Sequence, residues 1–535
     1  MNGADRIARR LAAAGITRAF GIPGGEVLAL VEALNAAGIE TILTKHENAA
    51  GFMAEGVWHA TGKPGLFYAT LGPGVANAIN VVANAYQDRV PLIFLTGCVD
   101  AADAETYTHQ VFDHQALLRP IVKATFKATA ETADLVIDKA LAVALSGRPG
   151  PVHVDVPISV AEGKAPDRPL VMSPAPAPVQ PASGVQLEAA RAILAKARNP
   201  LVIAGLDTVN HAAGKQLLAF CEALKAPLIT TYKAKGLVAE DHPLSLGAAG
   251  LSPKADKLLM PLVEEADVIV LAGYDPIEMR VNWRHAWPAQ KAVIDLAADA
   301  TPHGMHSVTH QFIGDIGESL AVLTPEKPAT HAVWPSGAPA KARLALQAAF
   351  APPAAWGPHT VFDTLRKTLP RNTVATADSG AHRILVSQMW TGYHPRAILQ
   401  STALCTMGCA VPLAMGYKLA MPETPVVCFV GDAGFEMGLG ELATLRDLKL
   451  PVIICVLVDE SLGLIEIKQR ATQRPNSAVD FGGSDFPRVA EAMGGHGIWI
   501  DDSATLSREA RAALTRDTFT VLACRIGRRA YDGAF

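Results

Sequence analysis

Two carboxylates stand where a chain could hold a divalent cation against a phosphate. Residues 426–442 read VVCFVGDAGFEMGLGEL. The apolar run should form a strand ending at Gly431, followed by Asp432, by Ala433 for a tight turn, and by a helix opening at Glu436 and Met437. An acid at a strand tip beside a helix N-terminus suits a metal that bridges to an anion, because the cation takes oxygen ligands while backbone N–H groups face the phosphate. Alone, a Gly-Asp after a strand is more often a capped turn. The next apolar run, PVIICVLVD, ends in Asp459, and the 27-residue interval between the acids fits one strand–helix–strand crossover. Both acids can then emerge at neighbouring strand tips, where open α/β sheets bind ligands. Two such ligands with diphosphate oxygens and water complete an octahedron suited to Mg2+. A third acid, Glu47, opens the stretch KHENAAGFMAEGVWHATGK over 45–63. By itself it reads as a helix-start acid favoured by the helix dipole.

The elements that must carry these residues are short β-branched runs alternating with Ala/Leu-rich stretches. Candidate strands are 18–22, 41–44, 66–70, 92–96 and 152–156, then 201–205, 227–231, 268–272 and 292–295, then 373–376, 426–430, 452–458 and 520–525. Runs such as LIFLTG, VIVLAG and VVCFVGD are apolar throughout, as strands buried on both faces are. Pro/Ala/Ser-rich segments at 163–184 and 324–340 break the pattern. The expected architecture is α/β, with three domains at 1–165, 185–325 and 345–535, each a mostly parallel sheet flanked by helices.

Composition narrows the function classes. Hydrophobic residues are 50% and charged ones 18% of 535, which excludes general disorder. Lys+Arg 47 against Asp+Glu 51, with no block of like charge, excludes an electrostatic nucleic-acid footprint. Seven scattered cysteines, most in apolar runs, read as reduced thiols. No apolar h-region and no spanning run of about 18 residues is evident, so no membrane association and a cytoplasmic location are expected. No G-x-G-x-x-G opens a helix after the first strand, which sets aside a Rossmann oxidoreductase.

On these motifs the chain resembles the thiamine-diphosphate enzymes, in the branch of acetolactate synthase, pyruvate oxidase and the 2-oxo acid decarboxylases. Gly431-Asp432-Ala433 matches the family's diphosphate motif, although Val458-Asp459 replaces its usual Asn pair. Asp459 adds negative charge there yet remains a competent Mg2+ ligand, and the resemblance puts the Ser461 carbonyl in the third protein position. The family's catalytic glutamate lies in HE-x-x-A-x-x-M-A-x-G, here at Glu47, followed by ATGKPG and the turn Thr70-Leu71-Gly72-Pro73-Gly74. Such an acid, walled by Phe52, Met53 and small residues, can move the proton that activates thiamine. In STALCTMGCAVPLAMG, Met407 would bend the cofactor and the Cys405 carbonyl would accept from its amino group; without the family, Met407 is core filler. The resemblance also implies cofactor contacts from Pro23, Gly24, Gly72, Asn77, Gly434, Leu462, Gly463 and Leu464. It names the three domains pyrimidine-binding, central and diphosphate-binding. It further implies a site completed between subunits, hence a homodimer at least and commonly a homotetramer.

Within the branch the chain is most similar to the catabolic, FAD-independent acetolactate synthases. His109-Gln110 in THQVFDH, Gly273-Tyr274-Asp275-Pro276-Ile277-Glu278 and VDFGGSDFPRVAEAMG carry that likeness, so no FAD is expected. Gln110 would contact the bound intermediate; His109 is either a proton relay or a structural imidazole. Glu26 stands where those synthases carry Lys, and Leu71 where the family has Ser. With Ile465 and Lys468, on a helix expected after Asp459, these residues outline a candidate substrate pocket, Lys468 being equally readable as a solvated lysine. The implied reaction is decarboxylation of a pyruvate-like 2-oxo acid and ligation of the resulting enamine to a second carbonyl. Alternatives are non-ligating decarboxylation, cleavage of a diketone or 2-hydroxy ketone, and a cofactor-binding paralogue without turnover.

Overall fold

A computed structural model describes residues 1–166, 177–300, 303–328 and 330–535. The centre of the 163–184 segment, residues 167–176, and Ala329 of the second lie outside the described residues. Three sheets of six strands follow one another along the chain, and their strand pairs are parallel. The first runs, in spatial order, Glu40–Leu43, Arg18–Ile22, Gly65–Ala69, Leu92–Cys98, Val152–Pro157 and Ala124–Lys127. The second runs His310–Ile313, Ala292–Ala297, Val268–Ala272, Pro200–Ala204, Leu228–Thr230 and Ser245–Ala248. The third runs Ile398–Gln400, Val374–Ala377, Val426–Gly431, Ile453–Val458, Thr520–Arg525 and His496–Ile500. Helices cover both faces, so the inner strands are apolar on both sides, as in Leu92–Cys98 and Ile453–Val458.

The third sheet sets the acid geometry. Val426–Gly431 and Ile453–Val458 are adjacent, with Gly431 opposite Leu457, so Asp432 and Asp459 leave the same end of neighbouring strands. The helix opens at Asp432 itself (Asp432–Glu436) rather than at Glu436, because extended Gly431 already serves as its N-cap. The segment 324–340 also differs from a free linker. Trp334 is buried, its indole N–H donates to the Pro200 carbonyl at 2.8 Å, and a helix starts at Ala338.

The three cores are not separate. One apolar cluster joins central-domain residues such as Leu271 and Trp283 to Phe429 and Trp390, and another joins Phe52 and Met53 to Ala414 and Val456. The second centres on two packed helices, Glu47–Thr61 and Ala410–Ala420. At Gly416 a Cβ would lie 1.9 Å from the Met53 carbonyl, so only glycine allows this approach.

Buried polar groups tie the same contact to the 401–408 loop. Glu55 accepts from Asn84 Nδ2 (3.0 Å), the Ser401 hydroxyl donates to Asn84 Oδ1 (2.6 Å), and the Thr406 N–H donates to Ser401 Oγ (3.0 Å). Burial raises the Glu55 pKa from 4.5 to about 7, against the opposing Lys233 charge and the Asn84 bond. The unfolded chain loses this proton near 4.5 and the folded chain near 7, so stability falls as pH rises through that window. At about 1.4 kcal/mol per unit, the fall is at most about 3.5 kcal/mol. Glu55→Gln should flatten it, leaving the variant at least as stable as native at pH 8 and less favoured at pH 5; urea unfolding at both pH values reads this out.

Candidate active site

A cleft of about 260 Å3 opens at the carboxyl ends of the third sheet. Its wall includes Gly431, Asp432, Ala433, Gly434, Asp459, Ser461, Leu462, Gly463, Leu464, Ile465, Cys405 and Met407. Twelve sequence-predicted positions from three segments thus meet around one space. Asp432 does two jobs. Its Oδ2 accepts the backbone N–H groups of Asp459 (3.1 Å) and Glu460 (2.6 Å), and Oδ1 that of Ala433 (2.9 Å), so it fixes the neighbouring strand exit. Burial raises its pKa against these bonds. Asp459 is raised to about 8 by burial and then by the Asp432 charge. Two desolvated carboxylates that repel one another form a site whose missing charge is a cation.

The 401–408 loop is held from beneath by Asp378. This buried acid follows the strand Val374–Ala377 and accepts from the backbone N–H of Gly408 (3.0 Å) and Cys409 (2.9 Å). A Cβ on Gly434 would sit 2.2 Å from Asp378 Oδ2, so the turn after Asp432 and the Met407 loop share one anchor. Cys405 has φ +58°, a conformation that favours glycine, and its Sγ is pinned by donation to the Thr402 carbonyl (3.0 Å) and by acceptance from Arg383 Nη2 (3.2 Å). That geometry explains why glycine suits this position.

Among the residues that escaped the sequence reading are Asp378, the anchor beneath the cleft, and His382 and Tyr531 in its wall. His382 is 5% exposed and its Nε2 has no hydrogen-bond partner among the described residues. Burial, then Arg383, lowers its pKa to about 3, so the imidazole is neutral. Tyr531 is 3% exposed with its hydroxyl likewise unpartnered among the described residues. Neither carries a sequence signal: AHRILV reads as ordinary helix, and Tyr531 lies in a terminal segment without a motif.

The residues predicted in the first domain do not line this cleft. Glu47 is 5% exposed at the start of its helix, capped by His46, and accepts from Asn77 Nδ2 at 3.0 Å. Beside it a separate opening of about 500 Å3 is walled by His46, Asn48, Asn77, Met407 and Met437. Leu71 and Gln110 line a third space of about 360 Å3 with Phe112, His114 and Asp155. Gly72 N–H donates to His114 Nε2 (3.3 Å), and His114 Nδ1 lies 2.8 Å from Asp155. His114, His153 and Asp155 have metal-like spacing, but Thr96 and Thr125 occupy the remaining positions of the His153 ring, so the cluster is a satisfied hydrogen-bond network. Burial pushes the Asp155 pKa up, and bonds from His114 and His153 outweigh it, holding the carboxyl well below its usual range. Glu26 accepts the Thr70 hydroxyl at 2.5 Å, and a Cβ on Gly24 would meet that hydroxyl. Pro23 and His109 are exposed. Lys468 is exposed on the helix Gly463–Ala471 and lines none of these spaces, while Ile465 faces the first.

In the central sheet the first strand of the domain, Pro200–Ala204, lies beside its fourth, Val268–Ala272. Dinucleotides bind at such a switch point. Glu278 fills it: its carboxyl accepts from the Leu206 N–H (3.0 Å) and the Thr231 hydroxyl (2.6 Å), and burial raises its pKa to about 8.

With that geometry in view, the sequence matches the thiamine pyrophosphate enzyme family in three parts. They are the N-terminal TPP binding domain over residues 1–117, the central domain over 187–323 and the C-terminal TPP binding domain over 378–524. A probable acetolactate synthase large subunit of Methanocaldococcus jannaschii is 30% identical over 92% of this chain and 86% of its own length. The acetolactate synthase isozyme 3 large subunit of Escherichia coli is 30% identical over 96% of this chain and 92% of its own. A probable 2-ketoarginine decarboxylase of Pseudomonas aeruginosa is 31% identical over 98% and 94%. The paired acids, the glycine-lined turn and these three matched domains together make the chain a member of the thiamine-pyrophosphate-dependent enzymes, similar over nearly its whole length to acetolactate synthase large subunits.

Proposed function

We propose that the chain decarboxylates a pyruvate-like 2-oxo acid and joins the remaining acyl carbons to a second carbonyl, with thiamine diphosphate and Mg2+ held at Asp432 and Asp459. The observation that carries this reading is the adjacent pair of buried carboxylates at neighbouring strand tips, inside the region matched to a TPP binding domain. The cleft fits the group. Its donors are hard oxygens, as Mg2+ requires; its turn is glycine-lined; and the unpartnered His382 Nε2 faces the same space. Asp432, Asp459 and the Ser461 carbonyl would hold the metal, with Gly431, Ala433, Gly434, Leu462, Gly463 and Leu464 enclosing the diphosphate. When bound, thiamine diphosphate supplies a nucleophilic ring carbon and an electron sink for the departing carboxylate.

The chain's own residues do the rest. Glu47, desolvated and bonded to Asn77, is suited to hold and move the proton on the pyrimidine ring. Met407 would support the bound group, and the Cys405 carbonyl would accept a hydrogen bond from it. Pro23, Gly24, Gly72 and Asn77 would hold its pyrimidine end. Gln110, with Leu71 and Glu26, would act on the substrate side, and His109 would serve there as a proton relay or a structural imidazole. Glu47 is not part of the wall of the Asp432–Asp459 cleft in its own chain, which supports completion of each site by a second copy. A homodimer is the minimum, a homotetramer the expected assembly. The domains at 1–165, 185–325 and 345–535 would be pyrimidine-binding, central and diphosphate-binding. Glu278 at the central switch point supports a protein without FAD. No helix among the described residues is long and apolar enough to cross a membrane, in keeping with a cytoplasmic enzyme.

Likeness to the 2-ketoarginine decarboxylase supports a second reading, decarboxylation without ligation. Incubation with pyruvate, thiamine diphosphate and Mg2+ separates the two. Ligation predicts acetolactate beside CO2; plain decarboxylation predicts acetaldehyde and no acetolactate.

A further inference from the structure

The last residues of the chain fold back onto the metal side of the cleft. The Asp532 N–H donates to the Arg529 carbonyl and the Ala534 N–H to the Tyr531 carbonyl, each at 3.0 Å, so the segment turns twice. Arg470, on the helix that follows Asp459, binds Asp532 through Nη2 while its Nε holds Glu466 at 2.7 Å. From the central domain, Lys254 Nζ donates to the Gly533 carbonyl at 3.3 Å. Ala534 is buried and Phe535 packs against the shared core. The Tyr531 backbone is therefore fastened on both sides.

Its side chain lines the 260 Å3 cleft and also an adjoining space of about 210 Å3, and these two spaces share Asp459, Ser461 and Gly463. Tyr531 thus stands at the partition carrying the expected metal ligands. A Cβ on Gly463 would lie 3.6 Å from its ring. The ring is 3% exposed and the hydroxyl has no hydrogen-bond partner among the described residues. A buried hydroxyl without an acceptor is unfavourable, and phenylalanine would fill the same volume without that penalty. A phenol is a hydrogen-bond donor at neutral pH. Asp432 and Asp459 line the same cleft without accepting from it, so the oxygens of an incoming group are the acceptors left to it.

We infer that the Tyr531 hydroxyl donates a hydrogen bond to an oxygen of the metal–diphosphate group held at Asp432 and Asp459, which makes the C-terminal segment a binding wall of the cofactor site. The inference rests on the thiamine diphosphate reading above. The test is calorimetric titration of the apoprotein with thiamine diphosphate at saturating Mg2+, in native and Tyr531→Phe protein, together with thermal unfolding of both apoproteins. The expected result is about tenfold weaker binding by the variant, which corresponds to about 1.4 kcal/mol, with an apo Tm equal to or above native because the unpartnered hydroxyl is gone. Binding within twofold of native overturns the inference and leaves the cofactor reading intact. Weaker binding accompanied by a lowered apo Tm also overturns it, by making the hydroxyl a structural group. Absence of Mg2+-dependent binding by the native protein overturns the cofactor reading and the inference with it.

Discussion

Glu47→Gln should lower CO2 release from a 2-oxo acid by about 10²–10⁴-fold, the range of a lost general acid–base group, while the protein still binds thiamine diphosphate. The substitution keeps the length and the hydrogen-bonding shape of the side chain. Gln can still engage Asn77, which bonds Glu47 at 3.0 Å, so the helix start and its packing against Ala410–Ala420 should survive. What is lost is a group able to change protonation state. Equal cofactor affinity with lost turnover would assign Glu47 to chemistry; equal loss of both would assign it to binding. The same variant reports on assembly. Glu47 is not part of the cleft wall that Asp459 lines in the same chain. Co-assembly of Glu47→Gln with a variant dead at Asp459 should therefore restore about a quarter of native activity, since half of random dimers are mixed and each mixed dimer holds one intact site. No restoration would mean that each chain builds its own site.

Asp459→Ala, which removes the ligand oxygen altogether, should weaken Mg2+-dependent thiamine diphosphate binding by at least the 10–100-fold seen when even outer-shell metal partners are removed. Its cost to the fold should be small. Burial and the Asp432 charge push the Asp459 pKa up to about 8 in the absence of a cation, so Ala removes a group that is nearly neutral in the apoprotein. Asp432 behaves differently, because its carboxylate accepts the Asp459, Glu460 and Ala433 N–H groups. Asp432→Ala leaves buried donors unsatisfied and should lower the apo Tm as well as the affinity. Calorimetry with and without Mg2+, beside thermal unfolding of both apoproteins, distinguishes the two acids.

The inner strands were legible because strands buried on both faces must be apolar throughout: Leu92–Cys98, Val268–Ala272, Val426–Gly431 and Ile453–Val458 all fall where the runs predicted them. Five edge strands were not foreseen: Ala124–Lys127, Ser245–Ala248, His310–Ile313, Ile398–Gln400 and His496–Ile500. Several are part-exposed, as in HQFI, or only three residues long, as in ILQ, and neither gives an apolar run. The site divides the same way. Asp432 and Asp459 end apolar runs and so announce a strand tip, and Cys405 and Met407 follow a motif. Asp378 and His382 reach the cleft only because Val374–Ala377 pairs with Val426–Gly431. Tyr531 reaches it only because the chain end folds back, a long-range event no local pattern encodes. Lys468 shows the converse: helical spacing aligned it with Leu464 and Ile465, but its side chain is solvent-facing.

Activation of the bound cofactor is testable without knowing the substrate. The measurement is the rate at which the C2 proton of thiamine diphosphate exchanges with deuterium on the protein with Mg2+, followed by NMR after acid quenching. Exchange accelerated by about 10²-fold or more over the free cofactor, and returned towards the free rate by Glu47→Gln, is the predicted result. Exchange at the free rate on native protein that has bound the cofactor would contradict the assignment of Glu47 and of the enzyme itself.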